Sequence, residues 1–189
     1  MLDESSSGSK RLELVTLGGG CFWCTEAVFS LIRGVEKVEP GYAGGYKPNP
    51  TYAEVSSGRT GYVEVAQLSF DPSLISFKEI LEIFFATHDS TTLNRQGPDV
   101  GTQYRSVIFY HTEEQKRTAE QMIRELEETK TYTNPIVTKV EPLRNSFKAE
   151  TYHKDYYKQH PNAPYCQAII SPKIQKPQKK YITKLRIPL

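Results

Sequence analysis

Three consecutive glycines, Gly18-Gly19-Gly20, join two stretches of opposite periodicity and constrain this chain more than any other feature. Before them, Arg11 to Leu17 alternates, with Leu12, Leu14 and Thr16 on one face and Val15 and Leu17 on the other, which predicts a strand. After them, Ala27, Val28, Leu31 and Ile32 fall at helical spacing, so a helix is expected over Phe22 to Ile32, stopped at Gly34. The glycines therefore mark a sharp strand-to-helix turn where something approaches the backbone closely. The expected visitor is a substrate, because Cys21 comes next, in the run GGGCFWC.

Further along, Val35 to Val38 reads as a strand, and the breaker-rich stretch Pro40 to Gly61 as a long functional loop. Tyr62 to Phe70 is the strongest strand signal, ended by Asp71-Pro72. An amphipathic helix is expected over Phe77 to Ala86, and a second breaker-rich segment leads to a strand over Ser106 to Tyr110. Thr112 to Thr129 reads as a charged helix capped by Thr112. A strand over Ile136 to Val140 and a helix over Ala149 to Gln159 complete the pattern. Strands and helices mix without strict βαβ alternation, so the expected class is α+β. The expected architecture is a single-domain two-layer sandwich, a central mixed sheet flanked by helices and long loops.

At 189 residues the chain can bury one ordinary core. Residues 1–9, acidic and serine-rich, read as a disordered lead, 10–175 as the catalytic domain, and 176–189 as a basic tail. From Pro172 onward there are six basic residues and no acidic one, which reads as a solvated extension. The net charge of +2 points to no nucleic-acid partner. No apolar run approaches the roughly 20 residues of a membrane span, and no secretory signal is visible. Three cysteines suit reduced thiols in the cytoplasm better than a secreted disulfide framework.

Cys21 is the candidate nucleophile: backbone N–H groups at the start of a helix would stabilise its thiolate and lower its pKa. Phe22 and Trp23 would supply an apolar wall beside it, or simply join the core. Glu64 sits in a strand apolar on both faces, where desolvation would raise its pKa and make it a proton donor near pH 7. The alternative for Glu64 is an ion-paired or outward-facing carboxylate. None of the four histidines has metal spacing with the CxxC, so no metal is expected. A Cys–His pairing through His153 has no specific support. Cys166 stands far from the other two thiols in sequence.

The runs GGGCFWCTEAVF, GYAGGYKPNPTYAEV, SGRTGYVEVAQLSFDP, RQGPDVGTQYRS and YHKDYYKQHPNAPYC, in this order, resemble the A-type peptide-methionine (S)-S-oxide reductases. The resemblance runs from about Leu14 to Lys176. It implies that Cys21 attacks the sulfoxide sulfur while Glu64 protonates the departing oxygen, leaving methionine and a sulfenic acid. It implies that Tyr52 and Tyr104 hydrogen-bond the oxide, that Asp99 shapes the polar network, and that Phe22 and Trp23 cradle the methyl group. Cys166, in a segment expected to be mobile, matches the family's C-terminal resolving position. Cys24 is the other candidate, and a relay through both stays open. The implied reductant is thioredoxin, or dithiothreitol in vitro, with no bound cofactor. The implied substrates are oxidised proteins or free methionine sulfoxide, and the implied state is a monomer. Tyr62 departs from the pattern, standing where the family usually has histidine, and altered packing or tuning near Glu64 is expected from it.

A rival reading makes Cys21 and Cys24 the working pair of a thiol–disulfide oxidoreductase, but no cis-proline loop is evident and Glu64 and the tyrosines are left unused. A non-enzymatic module binding oxidised peptides is the second rival.

Overall fold

The computed structural model describes residues 10–186. Strand β1 (Glu13–Gly18) leads through the glycine turn into α1 (Phe22–Phe29), followed by β2 (Val35–Ala43), α2 (Tyr52–Ser56) and β3 (Val63–Phe70). Then come α3 (Phe77–Thr87), the two-residue strands β4 (Arg95–Gln96) and β5 (Asp99–Val100), and β6 (Val107–Tyr110). The chain continues with α4 (Glu113–Glu128), β7 (Lys139–Pro142), β8 (Ser146–Lys148), α5 (Tyr156–Gln159) and α6 (Ser171–Lys180). Six strands form one sheet in the order β7-β6-β1-β3-β2-β8, while β4 and β5 pair apart as a small ribbon. Every pairing is antiparallel except β6 with β7. The fold is α+β, with a mixed sheet at its centre.

One sheet face carries the main core, where Leu17, Ala66, Leu68 and Phe70 meet Phe29 of α1, Ile80, Leu81 and Phe84 of α3 and Ala119 and Met122 of α4. Period-two alternation in β3 sends Glu64 to this helix-covered face along with those apolar residues. Val63, Val65, Val107 and Phe109 belong to a smaller cluster of their own.

Several boundaries differ from the sequence pattern, each for a local reason. The first helix ends at Phe29, and Ile32 instead bridges Leu185. Strand β2 runs on to Ala43 through Pro40 and Gly41, because eight residues of β3 offer a partner along its length and the Pro40 carbonyl accepts Ala149 N–H at 3.0 Å. The supposed loop thus contributes strand at one end, and α2 near its other end is set by a Thr51–Glu54 capping box. Helix α4 is capped by Thr112 as expected, its hydroxyl accepting Gln115 N–H. The helix expected over Ala149 to Gln159 is instead a 3-10 turn (Thr151–His153) and the short α5, broken at Asp155, whose φ is 54°.

The segment around Cys166, expected to be mobile, is a wide π turn (Cys166–Ile170) running directly into α6, with Cys166 fully buried. Helix α6 crosses the expected tail boundary at 175 without interruption. The described part of the basic stretch is not a solvated extension. Tyr181 and Leu185 enter the main core, Arg33 N–H donates to the Lys184 carbonyl at 2.7 Å, and Arg186 N–H donates to the Leu31 carbonyl at 2.8 Å. Apolar residues spaced among the lysines, together with backbone pairing, outweigh the like-charge repulsion that argued for solvation. The lead over 1–9 and residues 187–189 lie outside the described residues.

Candidate active site

The glycine turn puts Cys21 at the N-cap of α1, where its side chain makes no capping bond and stays free for chemistry. Gly20 has φ +95°, and a Cβ there would lie 2.5 Å from Gln96 Cγ, so only glycine suits the position. The close visitor is therefore not a substrate. Gly18 is packed by Val63 and Val107, Gly19 by Phe84 and His88, and Gly20 by Gln96, all side chains of the protein itself. Gln96 is held in place by Asp89, donating to its carbonyl and accepting its N–H, each at 2.9 Å.

Glu64 from β3 lies under the start of α1. It is 1% exposed, and its Oε1 accepts the Phe22 backbone N–H at 3.2 Å. Its Oε2 is buried without a hydrogen-bond partner. Burial pushes its pKa up to about 8, against the opposing Phe22 N–H, and neighbouring Asp99 and Cys24 add to the rise. At neutral pH Glu64 is then a carboxylic acid whose second oxygen has nothing to donate to within the protein. The neutral-acid expectation from β3 patterning and the desolvated geometry agree.

The thiol expectation does not hold in its simple form. Cys21 is 7% exposed, and burial pushes its pKa well up, with Cys24 and Glu64 adding in the same direction. Cys24, one turn along, is instead lowered to about 7, mainly by its hydrogen bond with Cys21 and also by the nearby Lys173 ammonium and Tyr165 hydroxyl. Desolvation of Cys21 beside an acid outweighs the helix terminus that argued for its thiolate. The two shifts run in opposite directions, so deprotonation is favoured at Cys24 over Cys21.

Phe22 is buried at 1%, its ring stacked near Tyr52 at 6.3 Å and beside Tyr42 and His153. Trp23 is half-buried, and its indole stacks on Tyr156 at 3.7 Å with an interplanar angle of 7°. Trp23 Nε1–H donates to His153 Nδ1 at 3.0 Å, so His153 serves the tryptophan rather than a cysteine. Tyr52 opens α2, where its backbone N–H donates to Glu150 at 3.0 Å, and Glu150 also accepts the Tyr42 hydroxyl at 2.9 Å. Burial and then Glu64 push the Tyr52 phenol up to about 12, and the same two causes push Tyr104 higher still, so both are neutral donors. Tyr104 ends a 3-10 turn (Thr102–Tyr104) between β5 and β6. Asp99 accepts the Tyr165 hydroxyl at 2.7 Å, and Tyr165 Oη is 3.7 Å from the Cys24 sulfur.

Cys21, Cys24 and Cys166 are all free thiols and belong to one buried cluster with Phe22 and Tyr62. Burial pushes Cys166 up, with Cys24 adding to it. Among the described residues no group of three or more His, Cys, Asp or Glu side chains could hold a metal ion. Tyr62 donates its hydroxyl to the Lys47 carbonyl and sets its ring edge-on to Phe147 at 6.1 Å, so its role is to pin the loop before α2. Sequence reasoning gave no role to Tyr156, Tyr165 or Lys173, although all three lie in or beside the last quoted motif. It passed over Glu150 entirely, because one carboxylate in a polar stretch carries no signal of what it accepts.

A buried thiol pair at a helix start, facing a neutral carboxylic acid and two phenols, defines an oxidoreductase of the thiol type on an α+β scaffold. The family model for peptide methionine sulfoxide reductase matches residues 13–186, and the chain belongs to that family. A peptide methionine sulfoxide reductase MsrA from Saccharolobus solfataricus is 55% identical over 176 residues, covering 93% of this chain and 98% of the relative. The structure of Mxr1 from Saccharomyces cerevisiae in reduced form superposes with a TM-score of 0.78 at 36% identity, covering 82% of this chain and 90% of that one. Mxr1 in complex with Trx2 matches with a TM-score of 0.56 at 25% identity, covering 78% and 86%. The chain is a methionine sulfoxide reductase, and the sequence resemblance is borne out.

Proposed function

We propose that Cys21, Glu64, Tyr52 and Tyr104 reduce the S epimer of methionine sulfoxide, free or in oxidised proteins, and that thioredoxin restores the enzyme. The observation that carries this reading is the buried Glu64 Oε2, protonated at neutral pH and unpartnered beside Cys21. The Cys21 sulfur attacks the sulfoxide sulfur as its proton passes to the Cys24 thiolate. Glu64 protonates the oxide oxygen, and the Tyr52 and Tyr104 hydroxyls donate to it as its charge grows. Phe22 and Trp23 hold the methyl group, and Asp99 fixes Tyr165 across the thiols. The sulfoxide S–O bond and the new bond to Cys21 then break as the hydroxyl passes to the Cys21 sulfur. The substrate sulfur keeps the electron pair and leaves as methionine, and Cys21, oxidised by two electrons, becomes a sulfenic acid.

Cys24 then attacks the Cys21 sulfur, the S–OH bond breaks, and the hydroxide leaves as water. Adjacency of the first two sulfurs supports Cys24 as the first resolving thiol, with Cys166 taking over by exchange at the Cys24 sulfur. We take the relay over direct resolution by Cys166. Trx2 bound to Mxr1 supports thioredoxin as the final dithiol. Three free thiols support a reducing compartment, the cytoplasm, and we take the working unit to be a monomer. No described helix is long and apolar enough to cross a membrane. The test is incubation with S- and R-sulfoxide substrates and dithiothreitol, with methionine as the readout. Methionine from the S epimer alone is expected, and none from the S epimer overturns the proposal.

A further inference from the structure

Glu26 lies one turn beyond Trp23 on α1 and is 2% exposed. Its Oε2 has no hydrogen-bond partner, and the Lys154 ammonium stands 3.5 Å from it. Lys154 Nζ also donates to the Val38 carbonyl of β2, so it ties Glu26 to the sheet. Burial pushes the Glu26 pKa up, while the Asp155 backbone N–H and Lys154 oppose the rise. A buried carboxylate is costly unless it is paired or hydrogen-bonded. Its partners here, the Lys154 ammonium and the Asp155 backbone N–H, both belong to one turn, residues 153–156. Asp155 adopts φ 54° without glycine's freedom, and it has no side-chain capping bond to fix it there.

The residues on either side of Lys154-Asp155 both grip the same indole. His153, fully buried, accepts Trp23 Nε1–H at 3.0 Å, and Tyr156 stacks on the ring at 3.7 Å. Glu26 itself touches neither His153 nor Tyr156 through any hydrogen bond. We infer that Glu26 is a positioning residue for substrate binding: paired with Lys154, it fixes the 153–156 turn that sets the orientation of Trp23. The inference rests on the proposed reading of Trp23 as part of the methyl-binding wall.

Trp23 is the only tryptophan in the chain, so its fluorescence reports this site alone. Glu26→Gln keeps the shape and removes the charge. It is expected to shift the Trp23 emission to longer wavelength and raise KM for sulfoxide roughly tenfold, with kcat held within about twofold. The rate at which iodoacetamide alkylates the Cys21–Cys24 thiol pair should stay native. Lys154→Gln should reproduce both changes, serve as the second variant if Glu26→Gln fails to fold, and add nothing in the double variant. Lys154→Arg should restore emission and KM. Native emission and KM in a folded Glu26→Gln or Lys154→Gln protein overturn the inference, as does an additive double variant. Trp23→Phe separates the two readings. A native KM there sinks the wall itself, whereas a raised KM with native behaviour in Glu26→Gln sinks only the role of Glu26.

Discussion

Glu64 Oε1 accepts the backbone N–H of Phe22 at 3.2 Å, which fixes the carboxyl against the residue that follows Cys21. The bond leaves Oε2 without a partner, and in the proposed reaction this oxygen carries the proton given to the oxide. Glu64→Gln keeps a carbonyl oxygen for Phe22 and loses the transferable proton. Its kcat for sulfoxide reduction with dithiothreitol should fall by about 10²- to 10⁴-fold, with the fold intact by circular dichroism. A loss below fivefold would remove Glu64 from the proton-transfer step.

The same carboxyl sets a pH dependence of stability. Its folded pKa of about 8 lies above the ordinary 4.5, so between those values the folded state keeps a proton that the unfolded chain has released. Stability is therefore full below about pH 4.5 for this group and is lost as pH rises toward 8. Glu64→Gln removes the penalty. The variant should unfold at higher denaturant concentration than the native protein at pH 9, and the gap should close at pH 5. Equal midpoints at pH 9 would mean that the carboxyl is not desolvated.

Activity should follow a bell in pH. Protonated Glu64 is needed, so turnover falls as pH rises through about 8, and the Cys24 thiolate is needed, so turnover rises as pH climbs through about 7. Lys173→Met takes away a positive charge that favours the Cys24 thiolate, and the lower limb should move to higher pH. An unmoved lower limb would assign it to another group.

The two resolving candidates separate by turnover with different reductants. Cys24→Ser should release at most one methionine per enzyme, more slowly than the native protein because the thiolate that takes the Cys21 proton is gone. It should also lose most thioredoxin-driven turnover, because the remaining thiol, Cys166, is fully buried. Cys166→Ser should keep disulfide formation between Cys21 and Cys24, visible as loss of two thiols after one equivalent of sulfoxide. Loss of only one thiol in that variant, with Cys21 left as its sulfenic acid and Cys24 still free, would return Cys166 to the role of first resolver.

Much of the site was legible because its residues sit where local rules act. The glycine turn, the apolar strand around Glu64 and the Thr112 cap each depend on a few neighbours in sequence. The thiol pKa order was not legible, because it depends first on the burial of Cys21 and its hydrogen bond with Cys24, and then on the Lys173 charge brought in by α6. The glycines were assigned to the right turn and the wrong visitor, since Gln96 and His88 reach them from a segment that reads as breakers. The contribution of residues 176–186 was hidden by their lysines. Tyr181 and Leu185 are two apolar residues in a basic run, and only their partners, Glu82 of α3 and Ile32 after α1, give them meaning.

That packing can be tested by truncation. Ending the chain after Lys180 removes Tyr181 and Leu185 from the core, the Ile32–Leu185 bridge, the Lys184–Glu79 ion pair and the backbone bonds from Arg33 and Arg186. Losing one large buried side chain typically costs about 2–5 kcal/mol, and the half-buried Lys184–Glu79 ion pair adds little to that. The truncated protein should melt at least about 5 °C lower, on the usual relation between stability and midpoint for a domain of this size. Because α6 is anchored at this end and carries the Cys166 turn at the other, thioredoxin-driven turnover should fall more than the single-turnover release of methionine. An unchanged melting temperature would mean that the basic stretch does not hold the core together, and that its lysines are solvated as their sequence suggests.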